Sequence, residues 1–202
     1  MDITDTYKTI QKASKGELFK DKNSKFYGYT FPVTDEGQVK SHIENLKKEH
    51  YSARHWCYAY QIGTEAIQYR VNDDGEPNNS AGMPIYGQIQ SFNLTNILIV
   101  VIRYYGGVKL GVGGLINAYR TSAQLAIEAS KIIERTINDK FQLNFKYNNM
   151  SKVMRLLKEN DVEIINQVLE ISCLLEISVR KGNSSYIYDL FNNFFGVEIK
   201  EL

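Results

Sequence analysis

The sequence predicts an α+β protein of two domains, residues 1–135 and 137–202, and three observations carry that expectation. From Phe141 onward, apolar residues follow a strand, helix, strand, strand, helix, strand rhythm. Before Ile133, buried strands and amphipathic helices run in a different order. Between the two, over residues 134–140, apolar periodicity lapses into a short polar connection. With 202 residues, 43% of them apolar and 23% charged, both domains can bury a core, and disordered, collagen-like and coiled-coil architectures are excluded.

In the first domain, Glu17–Lys20 and Lys25–Val33 are strand candidates, followed by a helix with Val39, Ile43 and Leu46 on one face. His55–Ile62 and Ala66–Val71 flank Gly63-Thr64 as a hairpin. A long polar loop and a short helix near Pro84–Ser91 lead to Asn96–Tyr105, whose unbroken run Ile97–Ile102 predicts a strand buried on both faces. Gly113 to about Arg135 reads as one helix with Ile116, Tyr119, Ala123, Ala126, Ile127 and Ile133 on its core side. Two-layer and three-layer packings both satisfy this order.

In the second domain, Phe141, Leu143 and Phe145 alternate as in a half-buried strand. Asn148 or Asn149 caps a helix carrying Val153, Leu156 and Leu157, which stops near Asn160-Asp161. Strands from Val162 to about Glu170 and from Ile171 to Arg180 form a hairpin, and Lys181-Gly182-Asn183 breaks the pattern. A helix from Ser184 or Ser185 through Ile187, Leu190, Phe191 and Phe194 ends at Gly196 as C-cap, and Val197–Leu202 closes as a strand. The order βαββαβ is that of a split-βαβ, ferredoxin-like domain.

Charge is balanced at 24 Lys plus Arg against 23 Asp plus Glu, with 16 basic and 14 acidic residues before Thr136 and 8 and 9 after it. That balance argues against sequence-independent wrapping of nucleic acid and leaves room only for a local anion site. The longest apolar run falls far short of the roughly 20 residues a membrane helix needs. Met1–Thr6 has neither the basic nor the apolar region of a secretory signal, so a cytoplasmic protein without a membrane partner is expected. Cys57 and Cys173 fall in different domains with no CxxC spacing, which predicts two reduced thiols, no disulfide and no metal centre. His42 and His50 read as solvated surface residues.

Two segments carry chemistry. Between the buried strand and the helix, five of the twelve residues Arg103 to Gly114 are Gly: Gly106, Gly107, Gly111, Gly113 and Gly114. Such a loop brings backbone amides close to a ligand, and the helix start favours an anion. It is not a Walker A loop, because Val112 and Gly113 stand where Lys and Ser/Thr would grip phosphate and magnesium. A dinucleotide fingerprint fails at Ile116. A tight strand-to-helix turn packed beneath the sheet is the competing reading.

The second segment, Asn72 to Pro84, holds Asp73, Asp74 and Glu76. Three carboxylates suit a hard cation or an acid/base pair, yet Arg70 and Ala81 break the calcium-loop pattern, and Asp-Gly with Glu-Pro is ordinary turn chemistry. Ser80 and Gly82 open the next helix and add backbone amides to the candidate surface. Arg103, Lys109 and Arg120, with Arg54 or His55 from a neighbouring strand, complete an anion-binding surface. Alternatively, Arg103 pairs with Asp73, Asp74 or Glu76 and pins the two segments together. Tyr104 and Tyr105 alternate faces, so at most one points outward.

Taken in order, Asp73-Asp74-Gly75-Glu76-Pro77, Ala81-Gly82-x-Pro84-Ile85 and Val100-Val101-x-Arg103-Tyr104-Tyr105-Gly106-Gly107-x-Lys109-Leu110-Gly111-x-Gly113-Gly114-Leu115 with Ala118-Tyr119 resemble the YigZ/IMPACT family, as does Ala53-x-His55-x-Cys57-Tyr58-Ala59-Tyr60. The resemblance spans essentially the whole chain. It implies a first domain with the fold of the second domain of a small-subunit ribosomal protein and of domain IV of elongation factor G. It also implies a ferredoxin-like second domain similar to those flanking domain IV. The sequence departs from the family at Asn79-Ser80, where Gly-Thr is common. Eukaryotic relatives restrain a starvation-activated translation kinase by binding its activator, a system bacteria lack.

Three functions follow. The first is a non-enzymatic regulator linked to translation, which binds RNA, the ribosome or another anionic partner through the surface formed by the two segments. The second is a protein-interaction module that docks a translation-associated protein on the sheet of the C-terminal domain. The third is a nucleotide-dependent small-molecule enzyme on the glycine loop, with Asp73, Asp74 or Glu76 holding magnesium. The first expectation carries no catalytic residue and no cofactor.

Overall fold

The computed structural model describes residues 5–202, and the chain divides into two compact units, residues 7–135 and residues 136–202 together with Asp5 and Thr6. In the first unit, β2 (Glu17–Asp21), β3 (Ser24–Pro32), β6 (Ile97–Tyr104), β4 (His55–Ile62) and β5 (Gln68–Asn72) form a five-stranded sheet in that order, with every neighbouring pair antiparallel. Strand β6 is central, and Ile97 through Ile102 are fully buried because both faces of the sheet are covered.

Side chains alternate across this sheet, and each face builds its own core. Ile97, Ile99 and Val101 pack with Ile85, Ile89, Leu115, Tyr119 and Ile127 from α2 (Gly82–Ser91) and α3 (Gly111–Glu128). Leu98, Val100 and Ile102 pack with Val39 and Leu46 from α1 (Glu36–Glu49). The unit therefore has three layers. Helix α1 starts where Asp35 accepts the Gln38 N–H at 2.9 Å, while the Gln38 side chain accepts the Thr34 N–H at 3.0 Å. Lys47 and Lys48 in its last turn complement the helix dipole. Strands β2 and β3 are joined by the two-residue turn Lys22-Asn23, whose φ values of 42° and 65° fit the tight turn that suits strand twist.

Two further strands depart from the sequence reading. Helix α3 ends at Glu128 rather than near Arg135, and β7 (Ile132–Thr136) follows, pairing with β1 (Thr6–Ile10) in a separate ladder. The Ser130 hydroxyl donates to the Ala126 carbonyl, and the Gln11 N–H bonds Lys131 O. The β-branched Ile132 and Ile133 then favour a strand whose partner lies more than 100 residues earlier, beyond any local pattern. The connection expected as a polar linker over 134–140 is strand on both sides of Ile137.

The second unit orders its strands β11 (Val197–Glu201), β8 (Asn138–Lys146), β10 (Ser172–Arg180), β9 (Glu163–Leu169), all antiparallel. In chain order these are strands 4-1-3-2, with α4 (Met150–Glu159) and α5 (Ser184–Asn192) as the crossovers. Phe141, Leu143, Phe145, Leu175, Ile177 and Val179 meet Val153, Leu157, Ile187 and Phe191 in the core. Asn149 precedes α4 as expected, but its amide reaches Phe195 O and Gly196 O instead of capping the helix. Helix α5 is capped at Asn193, and Gly196, at φ 82°, turns the chain into β11. Residues 5 and 6 belong with this unit, not with the first, because Asp5 accepts two bonds from Arg180 and its carbonyl accepts the Ile137 N–H at 2.7 Å. No described helix is long and apolar enough to cross a membrane.

Candidate functional site

The acidic segment folds inward on itself. One Asp73 carboxylate oxygen accepts the N–H groups of Ala81 and Gly82 at 2.9 and 2.8 Å, and the other accepts that of Asn79 at 2.9 Å. Asp73 thereby caps α2, and the amides assigned from sequence to an anion surface are already satisfied. Asp74 accepts the Trp56 N–H at 2.7 Å, and its carbonyl bonds His55 Nδ1 at 2.8 Å. Ser80 is fully buried and donates to Pro77 O at 2.6 Å. At Asn79, where the family commonly has Gly, φ is 61°, a left-handed conformation that Asn adopts more readily than most side chains.

Glu76 is the hub. Its Oε1 accepts Arg103 Nη1 at 2.6 Å and Tyr119 Oη at 2.8 Å, and all three side chains are buried. His55 Nε2 lies 4.0 Å from the same oxygen. The Arg103 guanidinium also sits over the Phe26 and Tyr105 rings, with its Nε buried and without a hydrogen-bond partner. Cys57 donates to Asp73 O at 3.0 Å and contacts Tyr119 Oη at 3.3 Å. Burial pushes both the Cys57 thiol and the Tyr119 phenol far up, which favours the protonated form of each. Of the two readings open for Arg103, the pairing is the one realised: Arg103 and Glu76 tie the segments together beneath the surface.

The glycine loop lies above this cluster. A Cβ at Gly106 would stand 2.1 Å from the Asn23 backbone carbon, so the loop packs backbone to backbone on the β2–β3 turn, and Ser24 Oγ accepts the Gly106 N–H at 3.2 Å. Gly107 and Gly111 hold φ of 82° and 74°. Around Gly107, Gly111 and Gly113 nothing lies within 4 Å of where a Cβ would be. Gly114, by contrast, packs on the Leu110 side chain. Helix α3 begins here with no side-chain cap from Leu110 and no acid in its first turn, and Gly111, Val112 and Gly113 are exposed.

Of the residues singled out from sequence, Arg54, Gly107, Lys109, Gly111, Gly113 and Arg120 are exposed, and Lys109, Arg120 and Arg54 are in no ion pair among the described residues. Glu76, Ser80, Gly82 and Arg103 are buried and support the loop from below. Tyr105 is the outward tyrosine at 47% exposure. Tyr104 turns to the α1 face, where its hydroxyl meets His50 Nδ1 at 2.9 Å. His50, expected to be solvated, bridges Tyr104 and Tyr29 at the end of α1, and His42 stacks on Phe31. Tyr119 and Ser24 were not singled out as parts of the site. Tyr119 fell within the helix's core stripe, and Ser24 is recognisable only once the hairpin turn meets the loop.

A family model, the Impact N-terminal domain, matches residues 22–127. The IMPACT family member YvyE of Bacillus subtilis is 34% identical over 201 residues, covering 98% of this chain and 92% of its own. The IMPACT family member YigZ of Escherichia coli is 33% identical over 143 residues, 70% of each chain. Among solved structures, one described as a hypothetical protein superposes with a TM-score of 0.75 over 99% of this chain and 98% of its own, at 24% identity, and so shares the two-domain fold. On the strength of the family match and of relatives aligned over most of its length, the chain belongs to the IMPACT family.

Proposed function

We propose that the protein is a non-enzymatic, cytoplasmic regulator of translation whose first unit binds RNA of the translation machinery through the glycine loop and the start of α3. The observation that carries this reading is the exposed start of α3: a first turn with no acid and no cap from Leu110, three glycines with empty space above them, and the cations Lys109 and Arg120, which are in no ion pair among the described residues. Kinship of fold supports it. The 4-1-3-2 strand order of the second unit is that of ferredoxin-like domains, and the family resemblance links the first unit to domain IV of elongation factor G and a ribosomal-protein domain. The competing enzyme reading needs a free carboxylate for magnesium, whereas Asp73, Asp74 and Glu76 bond backbone amides, Arg103 and Tyr119.

Binding of a fluorescein-labelled oligouridine, followed by anisotropy over a salt series, tests the proposal. The Lys109→Ala/Arg120→Ala double variant is expected to bind more weakly with an unchanged melting temperature. Its salt slope should fall by about 0.7 per lost contact. Wild-type affinity in that variant would move the reading to a protein partner docking on the exposed Tyr105, Val108 and Val112.

A further inference from the structure

A row of cations crosses the end of the five-stranded sheet on the face that carries α1. Register sets Lys20 directly opposite Lys25, and Lys25 directly opposite Tyr104. The β4–β6 pairing ends at His55–Arg103, and the Arg54 N–H also bonds Arg103 O, so Arg54 leaves the ladder register there and lies outside the row. Directly opposed residues share a face, so the row reads Lys20, Lys25, Tyr104. Tyr104 identifies that face, because its hydroxyl bonds His50 at the end of α1 and its ring packs edge-on against Tyr27. One step inward, Lys47 of α1 holds its ammonium 5.5 Å above the ring of Trp56.

Lys20 and Lys25 are exposed, and neither is in an ion pair among the described residues. Glu17 and Asp21 of the same hairpin alternate onto the opposite face, and β3 contains no acid. Glu49, beside His50, is near the row, and Glu44 and Asp74 line the same hollow as Lys47 and Trp56. Two lysines directly opposed repel each other, so the fold carries a cost here that no carboxylate of the hairpin relieves. A polyanion laid along the row turns that repulsion into attraction. Strands lie about 4.8 Å apart, so three positions on three adjacent strands span roughly 10 Å, the reach of about two backbone phosphates. The row begins at the hairpin whose turn packs on Gly106 and is thus continuous with the glycine loop.

We infer that Lys20 and Lys25, with Lys47 on the same face, form a second contact surface that tracks the phosphate backbone of RNA away from the glycine loop. This rests on the reading that the first unit binds RNA. The same anisotropy titration with labelled oligouridine tests it on the full chain. Lys20→Gln/Lys25→Gln should weaken binding and lower the salt slope by about 1.4, with a melting temperature equal to or above that of the wild type. Lys20→Arg/Lys25→Arg, which keeps the charge, should bind as the wild type does. If the Gln variant binds like the wild type while Lys109→Ala/Arg120→Ala binds weakly, the row is not a contact surface and the glycine-loop reading stands. Weak binding by both the Gln and the Arg variants would mean that charge is not the cause, which also overturns the inference. A wild-type chain with no affinity for oligouridine would remove both the inference and the reading beneath it.

Discussion

At the scale of the residue, Arg103 and Glu76 decide how the two segments are read. A guanidinium and a carboxylate 2.6 Å apart, each about nine-tenths or more buried, contribute little against an apolar pair, but either one alone is a stranded charge. Arg103→Ala should therefore cost about 3–5 kcal/mol, read from urea unfolding, and should lower oligouridine binding only in proportion to the unfolded fraction. A selective binding loss with full stability would place Arg103 on the ligand instead. The pairing was legible in the sequence as one of two alternatives. Residue spacing brings a carboxylate cluster near the end of a buried strand but does not say which way the arginine turns. The inward fold of Asp73, whose two oxygens are taken up by three amides, is what leaves Glu76 for Arg103.

At the scale of the element, helix α3 separates what the fold requires from what a ligand requires. Gly106 cannot carry a side chain, whereas Gly113 lies inside the helix with empty space around it and is one of the fold's dispensable glycines. Gly113→Ala should raise stability by about 0.5–1 kcal/mol by restricting the unfolded chain. If RNA approaches the helix start closely, the same change should weaken oligouridine binding, and a stabilised variant with intact binding would count against that approach. The start of α3 was readable from glycine content. Its end was not, because Ile133 sits at helical spacing while its strand partner lies in Thr6–Ile10. Helix α1 carries a pH-dependent contact: His42 stacks on Phe31 with ring centroids 4.2 Å apart, and burial lowers its pKa below 6.5. Below its ordinary pKa the unfolded chain binds the proton more readily than the folded one. The stabilising stack is therefore complete above about pH 6.5 and is lost as pH falls through the lowered folded value. His42→Phe should make unfolding midpoints less sensitive to acidification than those of the wild type between neutral pH and about pH 5.

At the scale of the whole molecule, two separate cores explain why the division was visible in the sequence. Strand alternation after Phe141 builds one sheet face, and the apolar run Ile97–Ile102 of β6 serves two faces of another. The boundary was less legible because the joint is not a polar loop: β7 and β8 meet at Ile137 with strand on each side. Cooperativity should follow the cores rather than the linker. A fragment of residues 7–135 should unfold in a single urea transition and keep the oligouridine affinity of the full chain. Its two ends depend on each other, since β1 and β7 pair, Ile10 is fully buried in the main core and the Thr95 N–H bonds Lys8 O at 3.0 Å. Trimming the fragment to residues 11–131 would remove the Ile10 side chain, both ladder strands and that bond together. Loss of the buried Ile10 side chain alone is worth about 2–5 kcal/mol, a large share of what a domain of this size holds in reserve. The trimmed fragment should therefore be largely unfolded by circular dichroism at a temperature where 7–135 is native. A stable, cooperatively folding 11–131 fragment would show that the terminal ladder is an ornament on the three-layer core rather than part of it.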